Sequence, residues 1–502
     1  SEDLIMMFPE DFKAKHNIDV YTQTEVLKIN RAEKTITVKD LKNGETRNEA
    51  YDKLVLATGT EPVMPGSIEG IHSPHVFTIR NVVDIERLQA KLDEESTKNI
   101  AVVGGGFIGV EVAENLRKIG KEVTLIEGTK QILAPYDYDM VQILHKELDD
   151  NGITLHVSAT VTAIESKQVK AVKDGKEFTV AADAVVMAVG ARPKTELAKD
   201  AGLEIGTTGG IWVDHNYRTS DADIYAVGDA IESYNMLAHA PGRIALAGPA
   251  QRQARAAADH ICGMYNTNKG YIGSSCIKVF GQNAACTGLN EREAKRLGYS
   301  YDSVMIFPMD RVGLMPGANY MVFKLVFEIP TGRILGAQAI GTGECDKRVD
   351  VIAAMITMGG RLEDLKELEL CYAPPFSTAK DVVNLAALVA LNVLNGRIKQ
   401  VHVDKVRELV EQGAYIIDVR GAGELKAGHL KGVHHIPLNE LRDRLDEIPR
   451  DIPVYLHCRS SQRSYYAACT LIENGFTNVY NISGSFLGIS LYEYFNDKTQ
   501  GR

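Results

Sequence analysis

The run Ile100-Ala101-Val102-Val103-Gly104-Gly105-Gly106-Phe107-Ile108-Gly109 limits the fold of this chain more than any other. Four apolar residues, three of them β-branched, read as a buried strand, and the glycine turn follows at once. Val110-Glu111-Val112-Ala113-Glu114-Asn115-Leu116 continues as a helix, and a second strand, Glu122-Val123-Thr124-Leu125-Ile126, ends at Glu127. Strand, Gly-x-Gly-x-x-Gly turn, helix and a second strand closed by an acid make the nucleotide-binding half of a doubly wound parallel sheet. Gly104, Gly106 and Gly109 allow the backbone to approach a pyrophosphate resting on the helix N-terminus. Glu127 is expected to take the adenosine ribose hydroxyls, which favours NADH, while Lys130 nearby keeps NADPH open. A tight helix–strand turn with a capped surface acid is the plainer alternative.

At 502 residues the chain has room for roughly three domains of about 150 residues each. An apolar content of 45% with 24% charged residues describes a globular chain with large cores. The excess of 66 acidic over 56 basic residues argues against a general nucleic-acid partner. No apolar run approaches the length of a membrane span and no signal-peptide pattern opens the chain, so a cytoplasmic location is expected. Seven cysteines, at 262, 276, 286, 345, 371, 458 and 469, are scattered without metal-ligand spacing. Reduced thiols and no bound metal fit that pattern.

One cysteine stands apart. Cys458-Arg459-Ser460-Ser461-Gln462-Arg463-Ser464 lies between an apolar strand, Val454-Tyr455-Leu456-His457, and a helical pattern beginning at Tyr465. A thiol at such a turn sits under backbone N–H groups and the positive end of a helix dipole, which favour a thiolate and an anion attached to it. Arg463 is expected to add a fixed cation that holds a persulfide or an attacking sulfite. Upstream come Ile416-Ile417-Asp418-Val419-Arg420, Glu424, Gly428-His429-Leu430-Lys431-Gly432 and His435-Ile436-Pro437-Leu438. Together with the Cys458 loop they resemble a rhodanese domain over residues 400–502. Ser461 stands where many rhodaneses carry glycine, so a positive φ there would strain the loop.

Further motifs name a second family. Tyr51-Asp52-Lys53-Leu54-Val55-Leu56-Ala57-Thr58-Gly59-Thr60-Glu61-Pro62 and Ala184–Pro193, which contains Gly190, are matching strand-turn units. Thr219-Ser220-Asp221-Ala222-Asp223-Ile224-Tyr225-Ala226-Val227-Gly228-Asp229-Ala230 is followed by Ala245-Leu246-Ala247-Gly248-Pro249-Ala250-Gln251-Arg252-Gln253-Ala254-Arg255, which leads into a helix. Cys371-Tyr372-Ala373-Pro374-Pro375-Phe376-Ser377-Thr378-Ala379-Lys380-Asp381 closes the region after residue 270. These segments resemble flavin-dependent pyridine nucleotide-disulfide reductases, and most closely the coenzyme A-disulfide reductases and NADH-dependent persulfide reductases fused to a rhodanese domain. The resemblance implies an α/β two-dinucleotide-binding flavoprotein with an α+β dimerisation domain and an α/β rhodanese domain. Its parts would be a FAD-binding domain at 1–96 and 194–268, a NAD(P)-binding domain at 97–193, a dimerisation domain at 269–393 and the rhodanese at 400–502. It further implies FAD at Thr58, Gly59, Asp229, Ala230 and Phe376, NADH or NADPH at the glycine turn and Gly190, and coenzyme A at Gln251 and Lys380. Asp229 would hold the ribityl chain. Tyr372 would reach the partner subunit's redox cysteine in a homodimer.

The resemblance has gaps. The family's first flavin strand, its glycine turn and a redox cysteine in a Cys-Gly-Leu-Pro-Tyr context find no match; Ser1–Met7 align downstream of them, and the first cysteine is Cys262. A fragment that lacks the flavin adenosine site and the reductase nucleophile is therefore expected. Leu314 and Met315 stand where relatives carry two tyrosines; neither can donate a proton, and apolar packing is expected of both. Cys276, Cys286, Cys345 and Cys469 read as small core thiols, Asp93-Glu94-Glu95 as a solvated helix end, and Leu385–Leu391 as an interface or a buried helix. Two rival functions stay open: an NADH oxidase or peroxide-reducing flavoprotein, and a sulfurtransferase whose reductase half is only a scaffold.

Overall fold

The computed structural model describes residues 6–500, with side chains described to residue 497, so Ser1–Ile5 of the opening segment lie outside it. The chain forms two compact units, one from residues 6–97 and 184–271 and the other from 98–183 and 272–500.

In the first unit, Thr24–Asn30, Thr35–Asp40 and Thr46–Ala50 make an antiparallel three-stranded sheet. Leu54–Leu56 runs parallel to Ile224–Ala226, and Leu56, Ile224, Ala226 and Ile231 pack into a core with Ile29. Lys34 and Lys53 both pair with Asp223, and Arg31 pairs with Asp221, so the first half of the Thr219–Ala230 motif fastens this sheet to the core. The two matching strand-turn units meet each other directly, Thr60–Pro62 antiparallel to Ala191–Pro193. The acidic run Asp93–Glu95 is exposed beyond the helix Val82–Leu92.

The second unit opens with parallel strands Asn99–Val103, Glu122–Ile126 and Ile153–His156. Ile100–Val103 are all buried, as their uninterrupted apolar run requires of a strand covered on both faces. An antiparallel sheet follows in the order Ser274–Val279, Gln282–Gly288, Ile334–Gly341, Met321–Glu328, Tyr301–Ile306. The helix Val382–Leu394 buries Val382, Val383, Ala386, Ala387 and Ala390 within the chain, which makes the apolar segment a buried helix. Cys286 and Cys345 are buried and Cys469 half-buried, but Cys276 is exposed. The reason is its place on the edge strand Ser274–Val279, where alternate residues face out. A parallel sheet ordered Lys399–Val401, Val479–Ile482, Val454–His457, Tyr415–Asp418, His434–His435 ends the chain. Its two faces carry separate apolar clusters, around Leu456 and Leu471 on one side and Val406 and Ile489 on the other.

A buried cation joins three segments of this unit. Lys324, 1% exposed, donates to Asp139 at 2.8 Å, and its ammonium lies 2.5 Å from Glu291 and 3.2 Å from Asp137. The three carboxylates lie close enough together to hold a metal ion, and the lysine ammonium stands among them. Glu291 accepts from Ser303 Oγ at 3.0 Å, and the neighbouring Asp302 pairs with His402 at the start of the last domain. Burial pushes the Asp139 carboxyl upward, whereas the three acids hold the Lys324 ammonium charged well above its ordinary range against the cost of burial. Removing one partner of a buried ion cluster costs about 3–5 kcal/mol, because the others stay buried without compensation. Lys324→Ala should therefore lower stability by about that amount in urea unfolding. The loss should shrink as pH falls and the stranded carboxylates take up protons; a loss independent of pH would contradict this role.

Candidate active sites

The strand Val454–His457 delivers Cys458 to a tight turn, and the helix Gln462–Glu473 leaves it. Ser461 adopts φ 72°, so a side chain does sit at a left-handed position, and its hydroxyl donates to the Ile482 carbonyl at 3.0 Å. Cys458 is 1% exposed. Two hydroxyls point at its sulfur, Ser464 Oγ at 3.6 Å and Ser485 Oγ at 4.0 Å. Ser485 Oγ also accepts the Cys458 N–H at 3.1 Å. Hydroxyl donors and a helix N-terminus on one sulfur stabilise a thiolate or a terminal persulfide.

The frame beneath the loop comes from the upstream motif. Asp418 and Arg420 form a fully buried pair at 2.6 Å, and the Arg420 guanidinium stacks 4.0 Å over the Phe486 ring. His457 is fully buried beside Asp418, and burial lowers its pKa, which keeps the ring neutral. Arg463 is less free than its sequence position implies: it makes a two-pronged pair with Glu424 at 2.6 and 2.7 Å. The Arg463 hydrogen bonds pull the Glu424 carboxyl down to about 2. Both residues were legible as motif positions; their pairing was not, because 39 residues separate them.

The glycine turn at 104–109 is shaped for a diphosphate. Gly104 has φ 107°, and a Cβ on Gly106 would enter open space at the N-terminus of the helix Phe107–Lys118. No side chain caps that helix, so its first N–H groups are left for a ligand. Glu127 accepts from Gly105 N and Thr129 N, both at 2.7 Å, which fixes its carboxylate beside the turn. Lys130 lies 5.0 Å over the Tyr138 ring. In the other unit, Gly190 has φ 112° with open space around it.

In that unit Asp229 and Ala230 lie in a short turn after Ile224–Ala226, fixed by Gln253, whose Oε1 accepts Gly228 N at 2.7 Å. Arg80, a residue the motifs did not single out, places its guanidinium 3.6 Å from Asp229 and donates to the Thr60 carbonyl. Thr58 donates to the Lys194 carbonyl at 2.7 Å, and Gly59 has φ 66° with Arg80 close by. Gln251 is exposed, so of the two glutamines it is Gln253 that shapes the turn.

In the second unit Tyr372, Phe376 and Lys380 are exposed. Leu314 is 90% exposed, which corrects the expectation of apolar packing there, while Met315 is half-buried; their loop is tied by Val312 N to the Pro374 carbonyl. Leu314, Tyr372 and Phe376 thus form exposed apolar surface on adjoining loops.

Comparison with known proteins divides the chain into three matched segments. Residues 6–254 match the model for pyridine nucleotide-disulphide oxidoreductase, 274–382 its dimerisation domain and 402–491 the rhodanese-like domain. The crystal structure of reduced Bacillus anthracis CoADR-RHD shares 41% identity with a TM-score of 0.95, over 98% of this chain and 88% of that one. This chain belongs to the pyridine nucleotide-disulphide oxidoreductase family. A NAD-dependent persulfide reductase from A. fulgidus is 36% identical with a TM-score of 0.89, over 96% of this chain and 87% of that one. The coenzyme A disulfide reductase of Staphylococcus epidermidis is 31% identical over 75% of this chain and 84% of its own length.

The fold is accordingly that of a flavin-dependent oxidoreductase with FAD and NAD domains, a dimerisation domain and a C-terminal rhodanese domain. The family implies FAD and NAD(P)H. The described residues fit NAD(P)H and the ribityl side of FAD: the open cradle at Gly106 suits a pyrophosphate, and the Asp229–Arg80 pair offers an acceptor and donors to a polyol chain.

The Arg463–Glu424 clamp sets a pH expectation. A depressed carboxyl stabilises the fold above its ordinary pKa of 4.5, and that contribution disappears as pH falls towards about 2. The difference in urea midpoint between the parent protein and Glu424→Gln should stay constant from neutral pH down to about pH 5 and vanish in stronger acid. A difference that already declines near neutrality would contradict the assignment.

Proposed function

We propose that this chain couples sulfur transfer at Cys458 to NAD(P)H-dependent reduction of a coenzyme A disulfide or persulfide. The observation that carries the reading is one chain holding both a dinucleotide cradle and a buried thiol with two hydroxyl donors on its sulfur. In the sulfurtransferase half, the Cys458 thiolate attacks the outer sulfur of a sulfane donor such as thiosulfate. A new S–S bond forms on Cys458, the old one breaks, and sulfite leaves with the electron pair. Ser464 and Ser485 stabilise the terminal sulfur of the resulting persulfide. An acceptor thiolate then takes that sulfur, and the pair of the broken bond returns to Cys458.

In the reductase half, bound FAD supplies the exchange between a two-electron hydride donor and thiol–disulfide chemistry. Gly104, Gly106 and Gly109 seat the nucleotide pyrophosphate, and Glu127 accepts from the ribose. Asp229, with Thr58, Gly59 and Ala230 nearby, holds the flavin's polyol side, and Gly190 leaves room for a close approach. Exposed Tyr372 and Phe376, with Leu314, form the surface that a second copy of the chain covers, where Tyr372 assists at the partner subunit's site. Gln251 and Lys380 contact coenzyme A. Among the described residues no helix is long and apolar enough to cross a membrane, and the cytoplasm is the proposed location.

Cys458→Ala should abolish thiocyanate formation from thiosulfate and cyanide while leaving the reduction of bound flavin by NADH in place. Equal loss of both would refute the division of labour between the two halves.

A further inference from the structure

The Cys458 loop carries two arginines, and the structure separates their roles. Arg463 is neutralised by Glu424. Arg459, next to the catalytic sulfur, forms no ion pair with a carboxylate among the described residues; its partner is an aromatic ring. The Arg459 guanidinium lies 5.0 Å from the centre of the Tyr320 ring and donates to the Tyr320 hydroxyl at 3.4 Å. Tyr320 is foreign to the rhodanese domain. It ends the 309–320 loop of the antiparallel sheet, a loop closed by Asp310 N to the Asn319 carbonyl and Asn319 N to Asp310 Oδ1. The same loop reaches the Tyr372 turn through Val312 N and the Pro374 carbonyl.

The domains are also fastened next to this contact. Met305 N donates to Ser483 Oγ at 3.3 Å, and the following turn binds the catalytic loop, with Phe486 N on the Cys458 carbonyl and Leu487 N on the Arg459 carbonyl, both at 3.0 Å. The attitude of Arg459 is therefore set by the reductase half.

We propose that Tyr320 is a positioning residue of the sulfurtransferase site: it holds Arg459, the uncompensated cation of the loop, over the mouth of Cys458 to receive an anionic sulfur donor or an anionic thiol acceptor. The inference rests on the sulfurtransferase reading of Cys458 and extends it. The anion selectivity of the rhodanese domain then depends on a side chain from outside it. A thiol carrier bearing phosphate groups and thiosulfate share the required chemistry, a sulfur atom beside fixed negative charge.

The test is the rate of Cys458 alkylation by anionic iodoacetate relative to neutral iodoacetamide, read by mass spectrometry of the Cys458 peptide in the full chain. The exposed thiols Cys262, Cys276 and Cys371 are thereby kept apart from it. A cation held by a ring at an exposed site contributes an amount worth about two- to fivefold in rate. Tyr320→Leu should lower the iodoacetate-to-iodoacetamide ratio by about that factor, and Tyr320→Phe, which keeps the ring, should preserve most of it. Arg459→Ala should lower the ratio as well, and adding Tyr320→Leu to it should change nothing more. An unchanged ratio in Tyr320→Leu overturns the proposal. So does a rise of both rates together, which would mark a loosened loop. Failure of the underlying reading would show elsewhere, as a parent protein that forms no thiocyanate from thiosulfate and cyanide; the alkylation ratio would still decide the placement of Arg459.

Discussion

The ammonium of Lys324 is the contact on which the second unit depends. From its strand in the antiparallel sheet it draws together Asp137 and Asp139 of the nucleotide-binding segment and Glu291 at the start of the helix Glu291–Arg296. Through Ser303 and Asp302 the same region reaches His402, the first turn of the rhodanese domain. Each acid alone would be costly to bury, and so would the lysine. Together they are compatible only in one arrangement, so three segments distant in sequence are held in register by charge as well as by packing.

That register matters because the chemistry is distributed. The nucleotide turn follows directly on the strand Asn99–Val103, whose neighbour Glu122–Ile126 leads into Glu127. The Cys458 loop hangs from a different sheet, yet its backbone is bound to the turn at Ser483–Leu487, which in turn touches the end of Tyr301–Ile306. A shift of the rhodanese domain on the antiparallel sheet would carry Arg459 off Tyr320. The nucleotide turn and the Cys458 loop therefore share the frame of the second unit.

Much of this was readable from the residues because it is local. The glycine turn with its flanking strand and helix, the cysteine at a strand-to-helix turn, and the left-handed Ser461 each follow from neighbouring side chains and backbone sterics. The pairings that decide charge were not readable. Arg463 appears as a free cation until Glu424, 39 residues earlier, is seen on it; Arg459 appears incidental until Tyr320, 139 residues earlier, is seen beneath it. Arg80 lies in an unremarkable loop before a helix, and only the fold sets it against Asp229. Leu314 failed for a related reason: an apolar residue predicts burial, but its loop is bound to the Tyr372 turn and directed outward.

The central claim is that the chain's nucleotide sites serve a flavin oxidoreductase and not a bare scaffold. The most direct measurement is the visible absorption of the purified protein during anaerobic addition of NADH. The account predicts a bound-flavin band that NADH bleaches. A colourless protein, or a flavin band indifferent to NADH, would contradict it and leave Cys458 as the chain's one catalytic centre.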